Sequence, residues 1–307
     1  MIDPARQRRQ RLIGVALMCG AVALFTFLDT TAKYLGAHMD TVQVVWARYA
    51  SAFLLALAIF NPLTRPGVMV SRRPALQLTR SLMMLGSTVL NFYALRYLQL
   101  DQTLAIFFST PFVVAALAGP MLGEWIGWRR WTAISIGFLG VVLVVRPGFG
   151  GIHPAALLSV AGVFCFALYG VMTRMLARYD SSETQLFYGN LVGVVLMSLV
   201  VPFFWTTPIS PVIVGLMILM GALGSFGHYL LIAGHRLAPA SVLSPFMYTQ
   251  LIWGIALGYL VFRDIPSGWT LAGAGVVIAS GLYLLNRERT LHSVEAAQAT
   301  SDATGPR

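Results

Sequence analysis

The sequence is poor in charged residues, and this shortage decides its class. Of its 307 residues only 10% are charged, whereas 57% are hydrophobic. A soluble domain carries about 25% charged residues, so there is too little polar surface here to cover a globule. The composition therefore excludes an ordinary soluble protein and predicts a polytopic membrane protein.

Cysteines and catalytic motifs are scarce as well. The two cysteines, Cys19 and Cys165, both lie in apolar runs, so neither a disulfide framework nor a cysteine metal site is predicted. The five histidines are scattered, and the sequence contains no HExxH stretch and no nucleotide-binding P-loop. These absences argue against a membrane-embedded enzyme and against direct ATP drive. We expect no enzymatic activity, no cofactor and no metal.

Apolar runs of bilayer length, which is about 20 residues, fill most of the chain. Division at charges, prolines and glycine turns predicts ten membrane spans. They cover residues 12–35, 41–60, 75–95, 101–121, 131–145, 154–176, 184–204, 212–234, 240–262 and 269–285. The first run is longer than the apolar part of a signal peptide, so we interpret it as a retained span.

The formal net charge of +10 comes mainly from short loops and the N-terminus. In a soluble protein such a charge would indicate nucleic acid, but here it indicates topology, and no nucleic-acid partner is expected. Arginines concentrate on the side of the N-terminus, at positions 6, 8, 9, 11, 65, 72, 73, 129, 130, 174, 178, 236, 287 and 289. The opposite side carries only Lys33, Arg96, Arg146 and Arg263. This asymmetry predicts that both termini are cytoplasmic.

The chain also contains an internal repeat. A shift of 139 residues aligns LRYLQLDQTLA (95–105) with GHRLAPASVLS (234–244). A shift of 141 aligns FTFLDTTAKYL (25–35) with FALYGVMTRML (166–176). Each half then has five spans, and an odd number inverts the second half relative to the first. Inverted repeats are typical of secondary transporters, whose cargo site lies near the midplane between the halves.

These residues resemble a known family, the ten-span proteins of the drug/metabolite transporter superfamily that carry two EamA repeats. The resemblance covers residues 12–286 and is most specific in ALRYLQLDQTLAIFFSTPFVVAALAGPMLGEWIGWRRW (94–131), with a matching stretch at 237–262. The Gly-Glu of the family is present as Gly123-Glu124, whereas the second half reads Phe262-Arg263-Asp264. The resemblance implies ten helices around a central cavity and transport of small organic molecules across the bacterial inner membrane.

The expected organisation follows from the repeat and the resemblance. A basic cytoplasmic N-terminus (1–11) precedes the first EamA repeat (12–146), which is followed by the second repeat (147–286) and a polar cytoplasmic tail (287–307) that we expect to be disordered. The fold class is thus an all-α polytopic membrane protein with two inverted five-helix repeats. Small residues that recur in the spans, such as Gly254-x-x-x-Gly258 and Gly221, Gly224 and Gly227, predict close helix packing. A homodimer contact is the alternative for Gly254-x-x-x-Gly258, so the protein is a monomer or a homodimer.

Charged residues inside the spans are costly and need a partner, water or a function. Asp29 and Arg48 each lie about seven residues, or roughly 10 Å, inside the same membrane boundary, which favours an ion pair between the first two spans. Direct cargo contact or proton coupling by Asp29 is the alternative. Lys33 lies one turn beyond Asp29 and can reach the interface. Arg80, only a turn or so into the third span, is expected to do the same.

Further candidates are polar or aromatic residues within spans, which suit a planar organic ligand. The candidate substrate-binding or coupling residues are Asp29, Lys33, Trp46, Arg48, Asn91, Tyr93, Tyr169, His228, Tyr248 and Gln250. The candidate gate residues are Glu124 and two of the prolines within spans, Pro111 in the fourth and Pro245 in the ninth. For each aromatic residue taken singly, ordinary packing remains the competing interpretation.

The function predicted from these features is secondary active transport of a small organic metabolite by alternating access. The family resemblance leaves several cargoes open, because members export amino acids and drugs while relatives import riboflavin or S-adenosylmethionine. The stretches LDTTAK and RSLMMLGSTVLNFYAL are more similar to the importing branch. Membrane lipids and the metabolite are the expected partners, and a channel or membrane-embedded enzyme is the distant alternative.

Overall fold

Helices make up nearly all of the described chain. The computed structural model describes residues 4–60, 66–122, 128–145, 153–208, 210–238, 243–280 and 282–283. Within these ranges the chain forms helices and turns and no strand. The fold is therefore the all-α polytopic membrane fold that the sequence predicts.

The helices follow the order of the predicted spans. The first half contains α1 (Pro4–Gly36), α2 (Thr41–Phe60), α3 (Pro74–Leu95), α4 (Leu100–Phe107), α5 (Thr110–Leu122) and α6 (Trp128–Val145). The second half contains α7 (Ala156–Leu176), α8 (Ser182–Val200), α9 (Pro211–Leu237), α10 (Gln250–Leu257) and α11 (Gly268–Ser280). Short 3-10 helices cover Pro66–Met69, Val201–Phe204 and Ser244–Thr249, and a π-helical turn covers Gly258–Phe262.

Local sequence explains where several helices begin. The Ser181 hydroxyl accepts a hydrogen bond from the Thr184 N–H at 3.1 Å and so caps α8. Ser210 caps α9 in the same way through Ile213 at 3.3 Å. Pro211 then occupies the first helical position, where its missing N–H costs nothing. These caps satisfy donors that a helix end leaves unpaired.

Five of the described helical segments are long and apolar enough to cross a bilayer by themselves. They are Arg9–Gly36, Thr41–Ile59, Ala156–Leu176, Ser182–Phe204 and Pro211–Gly234. Three further apolar segments are shorter, namely Leu100–Val114, Phe246–Phe262 and Gly268–Ser280. With α3 and α6, they occupy the positions of the remaining predicted spans.

The packing of the helices repeats between the two halves. α1 packs most extensively against α9, and α3 packs next most extensively against α7. These two pairs are equivalent, because the repeat relates α1 to α7 and α3 to α9. The contact of α2 with α9 likewise matches the contact of α8 with α3. Each half thus completes its packing with helices of the other half, as an inverted repeat requires.

The fourth and ninth spans, which the repeat makes equivalent, are both interrupted helices. In the fourth span α4 ends at Phe107, and α5 begins at Thr110. Pro111, the second residue of α5, has no N–H to continue the hydrogen bonding of α4. In the ninth span, Pro245 occupies the second position of the 3-10 helix that precedes α10. Both prolines therefore lie at breaks, although a role in gating stays a prediction.

Glycines let helices approach closely at the predicted places. A Cβ on Gly221 would lie 2.2 Å from Ser51 Oγ, and one on Gly227 would lie 2.6 Å from the Phe25 ring. A Cβ on Gly254 would lie 2.1 Å from a Leu104 methyl. The packing interpretation is therefore confirmed for α9 and for Gly254 but not for Gly258, where an added Cβ would meet nothing within 4 Å.

Two ends of the helix assembly can be defined by their connections. The Lys33 end comprises the turns at 36–40, 96–99, 205–208 and 263–267, and there Gln43 binds the backbone N–H and carbonyl of Thr206 at 2.9 and 2.8 Å. The Asp180 end comprises 66–73 and 177–181, where the Asp180 carboxylate accepts bonds from the Ser71 hydroxyl and the Arg72 N–H. Both sets of bonds join the first half of the chain to the second.

Candidate functional site

A central cavity of about 90 Å³ lies between α1, α2, α3, α4, α7, α9 and the ninth span. Its apolar wall includes five phenylalanine rings, those of Phe25, Phe92, Phe107, Phe108 and Phe166. Its polar wall includes Asp29, Arg48, Thr88, Asn91, His228 and Gln250. Mostly apolar walls with a few convergent polar groups are the general form of a small-molecule site.

Asp29 enters the cavity from α1, and its polar partner among the described residues is Asn91. The Asn91 side-chain amide donates a hydrogen bond to Asp29 Oδ1 at 3.1 Å, which links α1 to α3. The Asn91 carbonyl oxygen is buried and has no protein partner in the described part of the chain. This corner of the cavity thus offers oxygen acceptors, among them the carboxyl group of Asp29.

Arg48 enters from α2 and is 4% exposed. Its Nη1 donates to Thr88 Oγ1 at 2.9 Å, and its Nη2 lies 3.1 Å from His228 Nε2. Gly224 makes room for the guanidinium, because a Cβ there would lie 3.4 Å from Arg48 Nε. That Nε is buried without a partner among the described residues. The guanidinium is therefore fixed at the cavity wall with a donor to spare.

The predicted ion pair between Asp29 and Arg48 is wrong. Both side chains line the cavity, yet no salt bridge joins them, and the pairs found in the described residues are Lys33 with Asp264 and Arg96 with Asp40. The equal depth inferred from the sequence does not bring them into contact, because each side chain bonds to α3 instead, Asp29 to Asn91 and Arg48 to Thr88.

Lys33 is paired rather than free at the interface. Its Nζ lies 2.8 Å from Asp264 Oδ2, with 17% and 22% of the two side chains exposed. The same Nζ lies 4.7 Å from the centroid of the Phe262 ring. Asp264 therefore occupies the Lys33 end, in the second-half stretch that departs from the Gly-Glu of the family.

A left-handed residue brings Asp264 to this position. Arg263 has φ 61°, the only positive φ of a non-glycine residue within the described ranges. Its N–H bonds to Tyr259 O at 3.1 Å, and the Asp264 N–H bonds to Gly258 O at 3.2 Å. The π-helical turn therefore ends abruptly and directs Asp264 towards α1. A non-glycine residue in this conformation gives little sequence signal.

Three other candidates lie away from the cavity wall. Trp46 donates its indole N–H to Ser198 Oγ at 2.9 Å. Tyr93 packs against the larger apolar core as a half-buried residue. Tyr248 packs edge to face with Phe108 at 5.3 Å between centroids. All three take part in packing contacts, and none of them lines the cavity.

The gate candidates fall partly outside the described structure. Glu124 lies outside the described residues. Pro111 and Pro245 are described only through their backbone, at the breaks of the fourth and ninth spans. No set of three histidine, cysteine, aspartate or glutamate side chains in the described ranges could hold a metal ion.

Sequence reasoning missed a buried arginine behind the cavity. Arg80 is 1% exposed and donates to Thr173 Oγ1 at 2.7 Å, to Gln185 O at 3.0 Å and to the Tyr169 hydroxyl at 3.2 Å. The expectation that it reaches the interface is therefore wrong. Tyr169, itself 1% exposed, also lies behind the cavity wall and not on it. The pairing of Lys33 with Asp264 was missed too, since the two residues are 231 positions apart.

Comparisons with known proteins agree with this architecture. A model of the EamA-like transporter family matches residues 12–146 and 153–287. An S-adenosylmethionine uptake transporter of Rickettsia conorii is 25% identical over 263 residues, which span 85% of this chain and 88% of the relative. A riboflavin transporter of Vibrio cholerae is 25% identical over 287 residues, which span 90% and 94%. One protein of known crystal structure has the same fold, with a TM-score of 0.65 at 15% identity over 91% of this chain and 98% of its own.

Proposed function

The chain belongs to the EamA-like transporter family and is a membrane transporter of small metabolites, and on that premise we propose that its central cavity binds the cargo and that the cargo is S-adenosylmethionine. We choose this cargo because two side chains of opposite charge type line the cavity without forming a salt bridge. Asp29 and Arg48 line one cavity without pairing with each other. An unlike pair of charges held apart suits a ligand that itself carries both signs.

S-adenosylmethionine has the groups that such a cavity can receive. Its carboxylate can accept bonds from the guanidinium of Arg48, and charge-assisted bonds of this kind are strong. Its ammonium and sulfonium groups carry positive charge that suits the Asp29 carboxylate. Its adenine ring can stack against the phenylalanines of the wall, and an aromatic face also attracts a cation. Bound cargo would thus offset the cost of burying both side-chain charges.

Riboflavin is the second candidate, and the phenylalanine rings of the wall favour it. Its flat ring system would pack against Phe107 and Phe166, two rings of the wall whose centroids lie 6.2 Å apart. Riboflavin is uncharged, however, so it would leave Asp29 and Arg48 without opposite charges from the ligand. The cost of two buried charges without compensation makes it the weaker candidate.

The size of the cavity and the contacts at its two ends support alternating access. Organic ligands occupy pockets of roughly 300–1,000 Å³, and a cavity of about 90 Å³ must widen before cargo can bind. The bonds of Lys33 to Asp264 and of Asp180 to the 71–72 turn tie the halves together at opposite ends. In the proposed cycle one set separates while the other holds, so that the cavity opens to one side at a time.

We further propose that the protein lies in the bacterial inner membrane with both termini in the cytoplasm. The arginine asymmetry supports this orientation, which puts the Asp180 end on the cytoplasmic side and the Lys33 end outside. The two EamA repeats are proposed to be residues 12–146 and 147–286. The protein acts as a carrier, and its chemistry is binding and release without a catalytic step.

Transport of labelled cargo into proteoliposomes is the test of this function. We expect saturable counterflow of S-adenosylmethionine, competition by unlabelled S-adenosylmethionine and no competition by riboflavin. Saturable riboflavin counterflow without any S-adenosylmethionine transport would establish the second candidate instead. Transport of neither compound by protein that is folded by thermal-shift measurement would reject both cargoes.

A further inference from the structure

Arg80 is a cation buried outside the cavity, and its position calls for an explanation. It is the largest of the fully buried side chains in the described part of the chain. No carboxylate there forms an ion pair with it, and it does not line the cavity. Burial of an arginine in a membrane protein is expensive and usually serves function.

The hydrogen bonds of Arg80 lead to the cavity through two rings. Arg80 Nη2 donates to the Tyr169 hydroxyl oxygen at 3.2 Å, and its guanidinium lies 4.6 Å from the Tyr169 ring centroid. The same hydroxyl lies 3.1 Å from His228 Nδ1, and His228 Nε2 lies 3.1 Å from Arg48 Nη2. Four side chains from α3, α7, α9 and α2 thus form one continuous chain.

Arg48 determines which ring nitrogen of a neutral His228 carries the proton. A guanidinium has only N–H donors, so His228 Nε2 must accept from Arg48. A neutral imidazole then carries its proton on Nδ1 and donates it to the Tyr169 oxygen, which also accepts from Arg80. A second proton would turn Nε2 into a donor that faces the donor of Arg48.

The orientation of Arg48 depends on this chain. Its terminal nitrogens are held by Thr88 on one side and His228 on the other. Thr88 is fixed in turn, because its hydroxyl donates to Met84 O at 3.0 Å and leaves its oxygen as an acceptor. If His228 turned or gained a proton, Arg48 would lose one of its two anchors at the cavity wall.

We propose that Arg80 and Tyr169 are positioning residues for cargo binding, which act through His228 to hold the Arg48 guanidinium in the cavity. The proposal rests on the proposed function of the cavity. It assigns Arg80 a role in cargo affinity although Arg80 touches neither the cavity nor the cargo. A merely structural role, as a clamp between α3, α7 and α8, is the competing explanation.

Two variants separate these explanations, because each removes one hydrogen bond of Arg80. Tyr169→Phe removes the hydroxyl that joins Arg80 to His228 and keeps the ring under the guanidinium. Thr173→Val removes the bond to Arg80 Nε and leaves the chain to His228 intact. If Arg80 only clamps α3, α7 and α8 together, both variants should weaken the clamp. If Arg80 positions Arg48, only Tyr169→Phe should disturb Arg48.

The first measurement needs no cargo. Nitrogen-15 NMR of histidine-labelled protein in lipid, with His228→Gln used to assign the signal, reports which ring nitrogen of His228 carries the proton. We expect the Nδ1–H form in the wild type and in Thr173→Val, and a second form in Tyr169→Phe. The same His228 signal in all three proteins would overturn the proposal, whether or not S-adenosylmethionine is the cargo.

The second measurement is the KM and Vmax of S-adenosylmethionine uptake. We expect Tyr169→Phe to raise KM about tenfold, as for the loss of one charge-assisted hydrogen bond, with Vmax nearly unchanged. Thr173→Val should leave KM unchanged, and Arg80→Lys should raise KM less than Arg80→Gln. Equal KM increases in Tyr169→Phe and Thr173→Val would support the clamp and reject positioning. If the wild type does not transport S-adenosylmethionine, the proposed cargo is rejected. The NMR result alone then decides whether Tyr169 acts on Arg48 through His228.

Discussion

Lys33 near the end of α1 and Asp264 just after the ninth span form an ion pair at 2.8 Å, although 231 residues separate them. The pair joins the two repeats at one end of the cavity. A break in this contact is needed before the Lys33 end can open in the proposed cycle. It therefore offers a direct way to bias the carrier towards one conformation.

Removal of this pair should change conformation more than stability. Because both side chains are partly exposed, Asp264→Asn should lower the free energy of unfolding by only about 0.2–1 kcal/mol. A cysteine introduced at Gln250 on the cavity wall should nevertheless react faster with a polar maleimide in this variant. The reversed pair, Lys33→Asp with Asp264→Lys, should restore the slow reaction. An unchanged labelling rate in Asp264→Asn would show that the pair does not hold that end closed.

Neutralisation of Asp29 should weaken cargo binding without loss of stability. Among the described residues Asp29 forms no salt bridge and accepts a hydrogen bond from the Asn91 side chain, so Asp29→Asn removes a carboxyl group whose burial in the charged form is costly. We expect at least a tenfold higher KM for S-adenosylmethionine and a melting temperature equal to or above that of the wild type. Competition assays and thermal unfolding in detergent measure the two effects.

A charge exchange gives the matching control. If Asp29 and Arg48 were partners, Asp29→Arg with Arg48→Asp would recover function, but their separate partners on α3 predict no recovery. Decarboxylated S-adenosylmethionine supplies the ligand-side test for Arg48. It should bind the wild type more weakly than S-adenosylmethionine, and Arg48→Gln should affect its binding little. An equal loss for both ligands would contradict a contact between Arg48 and the carboxylate.

Glycines along α9 should differ sharply in their tolerance of a methyl group. A Cβ on Gly221 would lie 2.3 Å from the Ala52 backbone nitrogen, which cannot move aside. Gly221→Ala should therefore cost about 1–3 kcal/mol or more and reduce the yield of folded protein. Gly215 lies on the same helix with nothing within 4 Å of its Cβ position. Gly215→Ala should be neutral or slightly stabilising, and a similar loss in both variants would refute the packing argument.

The proposed orientation predicts which side of the membrane each end faces. Ala37 and Ala177 are both exposed, at the Lys33 end and the Asp180 end respectively. In a protein whose Cys19 and Cys165 are replaced by serine, Ala37→Cys should react with an impermeant maleimide in intact spheroplasts. Ala177→Cys should react only after permeabilisation. The reverse pattern would invert the assignment of the termini.

Much of the fold could be predicted from the sequence because its determinants are local. Apolar runs specify spans, since each helix must satisfy its own backbone in lipid. The alignment of 25–35 with 166–176 predicts the repeat, and the equivalent contacts of α1 with α9 and of α3 with α7 follow from it. The breaks in spans four and nine lie beside Pro111 and Pro245, where the sequence removes a backbone donor.

The site could be predicted only in part. Asp29, Arg48, Asn91, His228 and Gln250 are candidates from the sequence that meet around the cavity. Their roles in binding stay predictions. Three aromatic candidates take part in packing instead, namely Trp46, Tyr93 and Tyr248. The sequence places each of them in a span but does not show whether its side chain faces the cavity. Arg80 was expected to reach the interface because it lies close to the end of its span. The sequence does not show that Thr173 and Tyr169 of α7 lie beside it and accept its hydrogen bonds.

The sequence by itself determined that this chain is an integral membrane protein, how many spans it has and that its two halves are repeats. These properties depend on hydrophobicity and length, which add up along the chain. The tertiary structure alone decided which partner each charged side chain contacts. Asp29 contacts Asn91, Lys33 contacts Asp264 and Arg48 contacts His228. Such partners depend on the rotation of each helix about its axis and on its neighbours, and packing between distant segments sets both.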